Sequence, residues 1–284
     1  YNANLAQLNV LPLNNYGYEG TGINVALVDS GIDASHPEFR NSTIRGYDFS
    51  NSATGYGGDP NGHGTHVASI IAGDADGTGM RGVAYDATLY SYRVDANGDG
   101  TFEALNTDSP LAAVARRHIT DNIQVSNNSW GSNGAVTSYT TSQVRSMYRR
   151  SIAAIADAQA AGTLFVFAAG NSGNSEVSEE AGLPYHAPEL VDAWLVVVAS
   201  DENGVETAFT NRCGVAAAFC VTAPGNQVLA ADAGTTGYVS LSGTSMAAPF
   251  VSGLAADLME KFPNLTPKQI ATRIKTTASL APLT

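Results

Sequence analysis

Positive charge is what this chain has least of. It carries 14 Lys and Arg against 26 Asp and Glu, a net charge of −12, with a pI near 4.6. Its only lysines, Lys261, Lys268 and Lys275, lie near the C-terminus. Such a balance argues against a nucleic-acid partner, which calls for a basic surface. It suits a soluble secreted protein, including one working in salt. No apolar run approaches the roughly 20 residues needed to span a membrane. No Gly-x-Gly-x-x-Gly follows the first apolar strand and there is no P-loop, which counts against a nucleotide-binding protein. Tyr1-Asn2-Ala3-Asn4 has neither the basic nor the apolar stretch of a leader peptide. Cysteine is nearly absent. Cys213 and Cys220 stand with six residues between them, close enough to close one small disulfide loop in an oxidising compartment, two free thiols being the alternative. Neither has a histidine nearby in sequence that would make it a nucleophile.

The 284 residues, 44% of them hydrophobic, suffice for one large core, and there is no repeat or low-complexity linker to divide them. Apolar strands alternate with amphipathic helices, the pattern of a single α/β domain. Ile23-Asn24-Val25-Ala26-Leu27-Val28 reads as a central parallel strand, being apolar almost throughout. Helices are expected from about Ser109, with Ser109 as N-cap and Leu111, Val114, Ala115 and Ile119 inward, and over about 144–161, with Met147, Tyr148, Ile152 and Ile155 inward. A capping box, Thr266-Pro267-Lys268-Gln269, opens the last helix. Residues 50–62 and 170–188 read as loops.

Three short segments carry chemistry. Ser245, within Gly243-Thr244-Ser245-Met246-Ala247-Ala248-Pro249, stands where an apolar helix begins. Free backbone N–H groups and the positive end of the helix dipole favour a developing oxyanion there; a simple N-cap is the plainer reading. His63, between glycines in Gly62-His63-Gly64-Thr65-His66, has the near-neutral pKa of a general base. His66, one turn on and beside apolar residues, reads as a buried structural histidine. Asp29 closes the central strand, at the end where open α/β sheets place functional groups; a turn residue is the plainer reading.

Together, Val28-Asp29-Ser30-Gly31-Ile32-Asp33, His63-Gly64-Thr65-His66-Val67-Ala68 and the Ser245 segment resemble the three signature blocks of the subtilisin-like serine proteases, in that family's order of Asp, His, Ser. The resemblance covers nearly the whole chain. It implies a three-layer α/β/α fold with a mostly parallel sheet, and a secreted endopeptidase of broad specificity. In this reading Asp29 orients His63, His63 takes the proton of Ser245, and Ser245 attacks the peptide carbonyl. The alternative is a catalytically silent relative that binds peptides in the same cleft. Leu164-Phe165-Val166-Phe167-Ala168-Ala169-Gly170-Asn171 resembles the segment whose asparagine donates into the oxyanion hole, making Asn171 that donor. Gly98, Asp99 and Gly100 fall where such proteases pair with extended substrate. Ser129, Trp130 and Gly131, with Ala168, Ala169 and Gly170, correspond to the primary pocket, whose small apolar walls imply large uncharged substrate side chains. Glu176, Glu179 and Glu180 are expected to form a solvated acidic loop; pointing inward, they would favour a basic substrate residue instead.

The family commonly carries structural calcium. Asp74, Asp76, Thr78 and Met80 occupy its calcium-loop position, and Glu38 matches a distant carboxylate ligand that is usually Asp. Asp95-Ala96-Asn97-Gly98-Asp99-Gly100 copies the start of an EF-hand loop, but Asn106 stands where the closing glutamate belongs, so no cation is expected there. The segment from Asn211-Arg212-Cys213 to Ala223-Pro224-Gly225 resembles secreted and autotransported subtilases of Gram-negative bacteria. The family resemblance implies a monomer with polypeptide substrates, residues 1–284 being a single-domain mature fragment whose leader and pro-segment have been removed, and the finer likeness adds release from a cell-surface precursor as one route outward.

Overall fold

The computed structural model describes residues 2–55, 57–100, 102, 105 and 107–278. An eight-stranded sheet forms its middle layer, in the order β3-β2-β4-β1-β5-β6-β7-β8. The strands are β1 (Asn24–Asp29), β2 (Ile44–Asp48), β3 (Ala53–Thr54), β4 (Thr88–Arg93), β5 (Val125–Asn128), β6 (Leu164–Ala168), β7 (Trp194–Ser200) and β8 (Cys220–Pro224). Neighbours pair in parallel except β2 with β3. A separate antiparallel hairpin joins β9 (Val228–Ala231) to β10 (Tyr238–Leu241). The helices are α1 (Asn2–Gln7), α2 (Leu11–Asn15), α3 (His63–Ala72), α4 (Asp108–Thr120), α5 (Thr141–Met147), α6 (Arg149–Ala160), α7 (Leu183–His186), α8 (Thr244–Lys261) and α9 (Pro267–Thr277).

Both faces of the sheet are covered, which explains the apolar run of β1. Val25 and Leu27 join a core with residues of α3, α8 and α9, while Ala26 and Val28 face the opposite way, toward Val114 of α4. Side chains alternate between faces along a strand, so a strand buried on both sides cannot alternate in polarity. Helices α3 and α8 pack together on one face, α4 and α6 on the other. This is the expected three-layer arrangement. On the α4–α6 side, Trp194 stacks on Phe167 with ring centroids 4.5 Å apart. Such aromatic pairs contribute about 1 kcal/mol beyond the area they bury.

Two helices differ from the sequence reading for one reason. Helix α4 starts at Asp108 after Thr107, not with Ser109 as its cap. The Asp108 carboxylate accepts the Arg150 and Ser151 amides at 2.9 and 2.7 Å, and so caps the start of α6 from a neighbouring helix. The expected single helix over 144–161 accordingly divides at Tyr148, and Met147 is left 41% exposed. Ile119 is also turned outward, and His118 is buried in its stead, bonded to the Val114 carbonyl and the Ser126 hydroxyl. The Thr266–Gln269 capping box forms as read. Cys213 and Cys220 are joined as a disulfide around a short 3-10 turn, Gly214–Phe219. Asn106 and residues 281–284 lie outside the described residues.

Candidate active site

Asp29, at the carboxyl end of β1, is fully buried; its Oδ1 accepts the Ser30 amide at 2.8 Å and lies 2.7 Å from Nδ1 of His63. An ionised carboxylate only accepts, so Nδ1 carries the proton and Nε2 is left as the basic nitrogen. The close approach of α3 to β1 depends on Gly64. A Cβ there would stand 2.1 Å from the Gly31 carbonyl oxygen and 3.2 Å from Asp29 Oδ1. Asp59 anchors the first turn of α3. One of its oxygens accepts the Gly62 amide (2.8 Å) and the Ser30 hydroxyl (2.8 Å), the other the Thr65 amide (2.8 Å) and hydroxyl (2.5 Å). A carboxylate at a helix N-terminus is favoured by the dipole as well.

The charges around His63 decide its basicity. Burial works to lower its pKa, but the charge and hydrogen bond of Asp29 and the charge of Asp59 raise it further, leaving it above the usual imidazole value. His66 goes the other way. Its Nε2 lies 3.1 Å from the Val228 and Val239 carbonyl oxygens, and burial brings it down to about 4. It is the neutral, structural histidine the sequence suggests.

Ser245 occupies the first turn of α8, where Pro249 has no N–H to give the Ser245 carbonyl. The Ser129 hydroxyl fills that place at 2.9 Å, and the Ser245 hydroxyl donates in return to the Ser129 carbonyl at 3.0 Å. This reciprocal clasp fixes the serine against the chain leaving β5. Asn171, beyond the end of β6, accepts the Thr244 amide (2.8 Å) and hydroxyl (2.9 Å) on its Oδ1. A backbone N–H can meet only the oxygen of that amide, so the Asn171 Nδ2 group is turned away from Thr244 and free to donate. The Thr244 hydroxyl itself accepts the Gly170 amide at 3.1 Å, tying the two segments together.

These groups open on one cleft of about 1060 Å³, lined by His63, Ser129, Asn171 and Ser245 among others. Of the expected substrate-binding residues, Gly100, Ser129, Trp130, Gly131, Ala168 and Gly170 line it. Ala169 lies behind the wall, its carbonyl accepting the Ser178 amide and Asn211 Nδ2. Gly98 sits against Pro60, and the loop is drawn in by Asp95, which accepts the Gly98 and Gly100 amides at 2.7 and 3.0 Å. Asp99 is exposed on that loop. The fully buried Asp95 therefore staples the loop.

The acidic segment is not the solvated loop expected of it. Glu176 accepts the Val215 amide at 2.8 Å and serves the disulfide loop. Glu179 is only 7% exposed, and its Oε1 has no partner. Burial, with the charge of Glu180 adding to it, raises its carboxyl above the usual range, against a lowering hydrogen bond from Tyr148. Glu180 lines the cleft itself.

Away from the cleft, Glu38 is buried beside the 74–80 loop. Its Oε1 accepts the Tyr238 hydroxyl (2.5 Å) and the Met80 amide (3.1 Å), and its Oε2 is buried without a partner. Asp76 holds the Thr78 amide and hydroxyl at 2.9 and 2.7 Å. Asp74 is turned to Asn41 and Ser42. No pattern in the sequence points to Tyr238, which reaches Glu38 from the β9–β10 hairpin.

The profile of the Subtilase family (Peptidase_S8) matches residues 20–283. Subtilisin DY of Bacillus licheniformis is 34% identical over 93% of this chain and 86% of its own length. An extracellular serine protease of Serratia marcescens is 32% identical over 93% of this chain, which spans 30% of that longer protein. The crystal structure of a cold adapted subtilisin-like serine proteinase superposes with a TM-score of 0.72 at 27% identity, over 93% of this chain and 85% of that one. With the parallel sheet and the cleft at its carboxyl edge, these likenesses place the chain in the subtilase family, as a subtilisin-like serine endopeptidase.

Proposed function

We propose that Asp29, His63 and Ser245 form the catalytic triad of a secreted endopeptidase. The observation that carries this reading is the 2.7 Å Asp29–His63 pair opening on the same cleft as Ser245. Ser245 leaves its hydrogen bond to Ser129, gives its proton to Nε2 of His63, and attacks the substrate carbonyl. Asp29 stabilises the imidazolium that results. The Asn171 Nδ2 group and the Ser245 amide hold the oxyanion. His63 then protonates the departing amine, and water repeats the sequence on the acyl-enzyme. Nε2 has to be unprotonated at the start, so activity falls on the acid side through a pKa set high by Asp29 and Asp59. Extended polypeptide pairs by its backbone near Gly100, which makes specificity broad apart from the side chain entering the pocket beside Gly131.

Calcium is proposed as a structural ion at the 74–80 loop. The buried, unpartnered Oε2 of Glu38 is the kind of hard oxygen it takes. Asp76, Thr78 and Met80 belong to the same loop, whereas Asp74 is engaged elsewhere. The ion would add stability and supply no chemistry to the reaction.

The test is casein hydrolysis by the protein and by Ser245→Ala. Loss of about 10⁶-fold in turnover is expected, a magnitude established for subtilisin itself. Equal activity in Ser245→Ala would refute the triad. No hydrolysis by the folded parent would favour the peptide-binding relative, in keeping with a Ser245 hydroxyl resting on Ser129.

A further inference from the structure

We propose that Glu180 makes the side-chain pocket of this cleft a receptor for lysine or arginine, at the substrate position just before the scissile bond. The inference rests on the protease reading above and names the substrate class of that same cleft.

Position comes first. The chain leaving β5 meets Ser245 at Ser129 and continues along the cleft through Trp130 to Gly131. A Cβ at Gly131 would lie 3.5 Å from Oε2 of Glu180. Two residues of chain span at most about 7 Å, within the reach of an extended lysine or arginine side chain. The Glu180 carboxylate thus stands at the depth where the charged end of such a side chain would arrive.

The carboxylate is also held in place. Its Oε2 accepts the Ser132 amide at 2.8 Å and the Ser132 hydroxyl at 3.0 Å. These bonds fix the carboxylate before substrate arrives and leave Oε1 for it, so little ordering cost remains at binding.

The neighbouring acids are otherwise engaged. Asp108 also lines the cleft, but its carboxylate caps α6 through the Arg150 and Ser151 amides. Glu176 is committed to Val215, and Glu179 is buried behind Tyr148. No lysine or arginine lines the cleft among the described residues. Trp130, Met147 and Tyr148 supply apolar wall for the methylene stem, and aromatic faces favour a cation nearby. The small apolar walls that suggested uncharged side chains therefore end in a fixed negative charge.

Four chromogenic peptide anilides, identical except for a final Arg, Lys, Phe or Leu, test this on the protein and on Glu180→Gln. The glutamine keeps the shape and still accepts from Ser132. In the parent, kcat/KM for Arg and Lys should exceed that for Phe, and the advantage should shrink as salt rises. Glu180→Gln should lower the Arg-to-Phe ratio roughly 10- to 100-fold, the scale of one lost bond to a charged group. If that variant does not fold, inhibition of the parent by peptide aldehydes ending in argininal or phenylalaninal reads the same preference. Labelling of Ser245 by a fluorophosphonate separates the two levels of failure. No labelling would overturn the protease reading and this inference with it. Labelling together with a preference for Phe, or with a ratio that Glu180→Gln leaves where it was, would overturn this inference alone.

Discussion

Replacing Asp257 with asparagine should make the protein relatively more stable as pH rises. Asp257 is fully buried on α8; its Oδ2 accepts Asn14 Nδ2 at 3.0 Å, and its Oδ1 has no partner. Burial pushes its carboxyl from the usual 3.8 up to about 9, with the charges of Glu260 and Glu19 adding to the rise and Asn14 and Arg81 opposing it. The folded state therefore keeps a proton that the unfolded chain releases above about pH 4. Between those two pKa values the unfolded state gains on the folded one by about 1.4 kcal/mol per pH unit. From about pH 5 to about pH 8 the accumulated loss is on the order of 4 kcal/mol. Asparagine resembles the neutral acid in shape, still accepts from Asn14, and has no proton to release. Urea unfolding at several pH values would read the difference, with Ser245→Ala as background to prevent self-digestion. The Asp257→Asn protein should gain on its parent steadily across this range and lose the advantage near pH 4. Parallel curves, or a parent that gains as pH rises, would refute the argument.

Other expectations follow from the same contacts. Asn171→Ala should reduce kcat by roughly 10²–10³ with little change in KM, the magnitude known for this donor in subtilisin. Thr244→Val should do the same more mildly, about 10-fold, because the Thr244 amide still holds Oδ1 when the hydroxyl is lost. Stopped assays of anilide hydrolysis distinguish the two, and a rise in KM alone would contradict both. Asp59→Asn removes a negative charge that raises the pKa of His63, so the acid limb of the pH–kcat/KM profile should move to lower pH. An unmoved limb in a folded variant would remove Asp59 from the account. Chelation of calcium should lower the melting temperature of the parent but not of Glu38→Gln. At free calcium ~100 times the dissociation constant the ion would contribute about 2.7 kcal/mol.

What could be read from the sequence was what local pattern determines. The run through Val25 to Val28 is apolar at every position because both faces of β1 are covered, and the strand carries Asp29 to His63 at the cleft. The three segments bearing Asp29, His63 and Ser245 are each short and self-contained, and only the fold brings them together. The remainder depended on contacts distant in sequence. Nothing near Tyr148 announces a helix break, since the capping carboxylate comes from Asp108. The clasp between Ser129 and Ser245 joins residues 116 positions apart, and the only local trace of it is Pro249, which has no N–H for the Ser245 carbonyl. Glu179 and Glu180 look alike in sequence, yet one is buried and the other lines the cleft, a division set by how the segment crosses behind Gly131. Tyr238 on Glu38 was similarly hidden, because hairpin and loop meet only after folding.

The most direct test of the central claim is peptide mass mapping after reaction with a fluorophosphonate, run on the parent and on His63→Ala. The account predicts a single adduct on Ser245 in the parent, with loss of hydrolysis, and much slower labelling without His63. An adduct elsewhere, or equal labelling of both proteins, would contradict a Ser245 activated by His63.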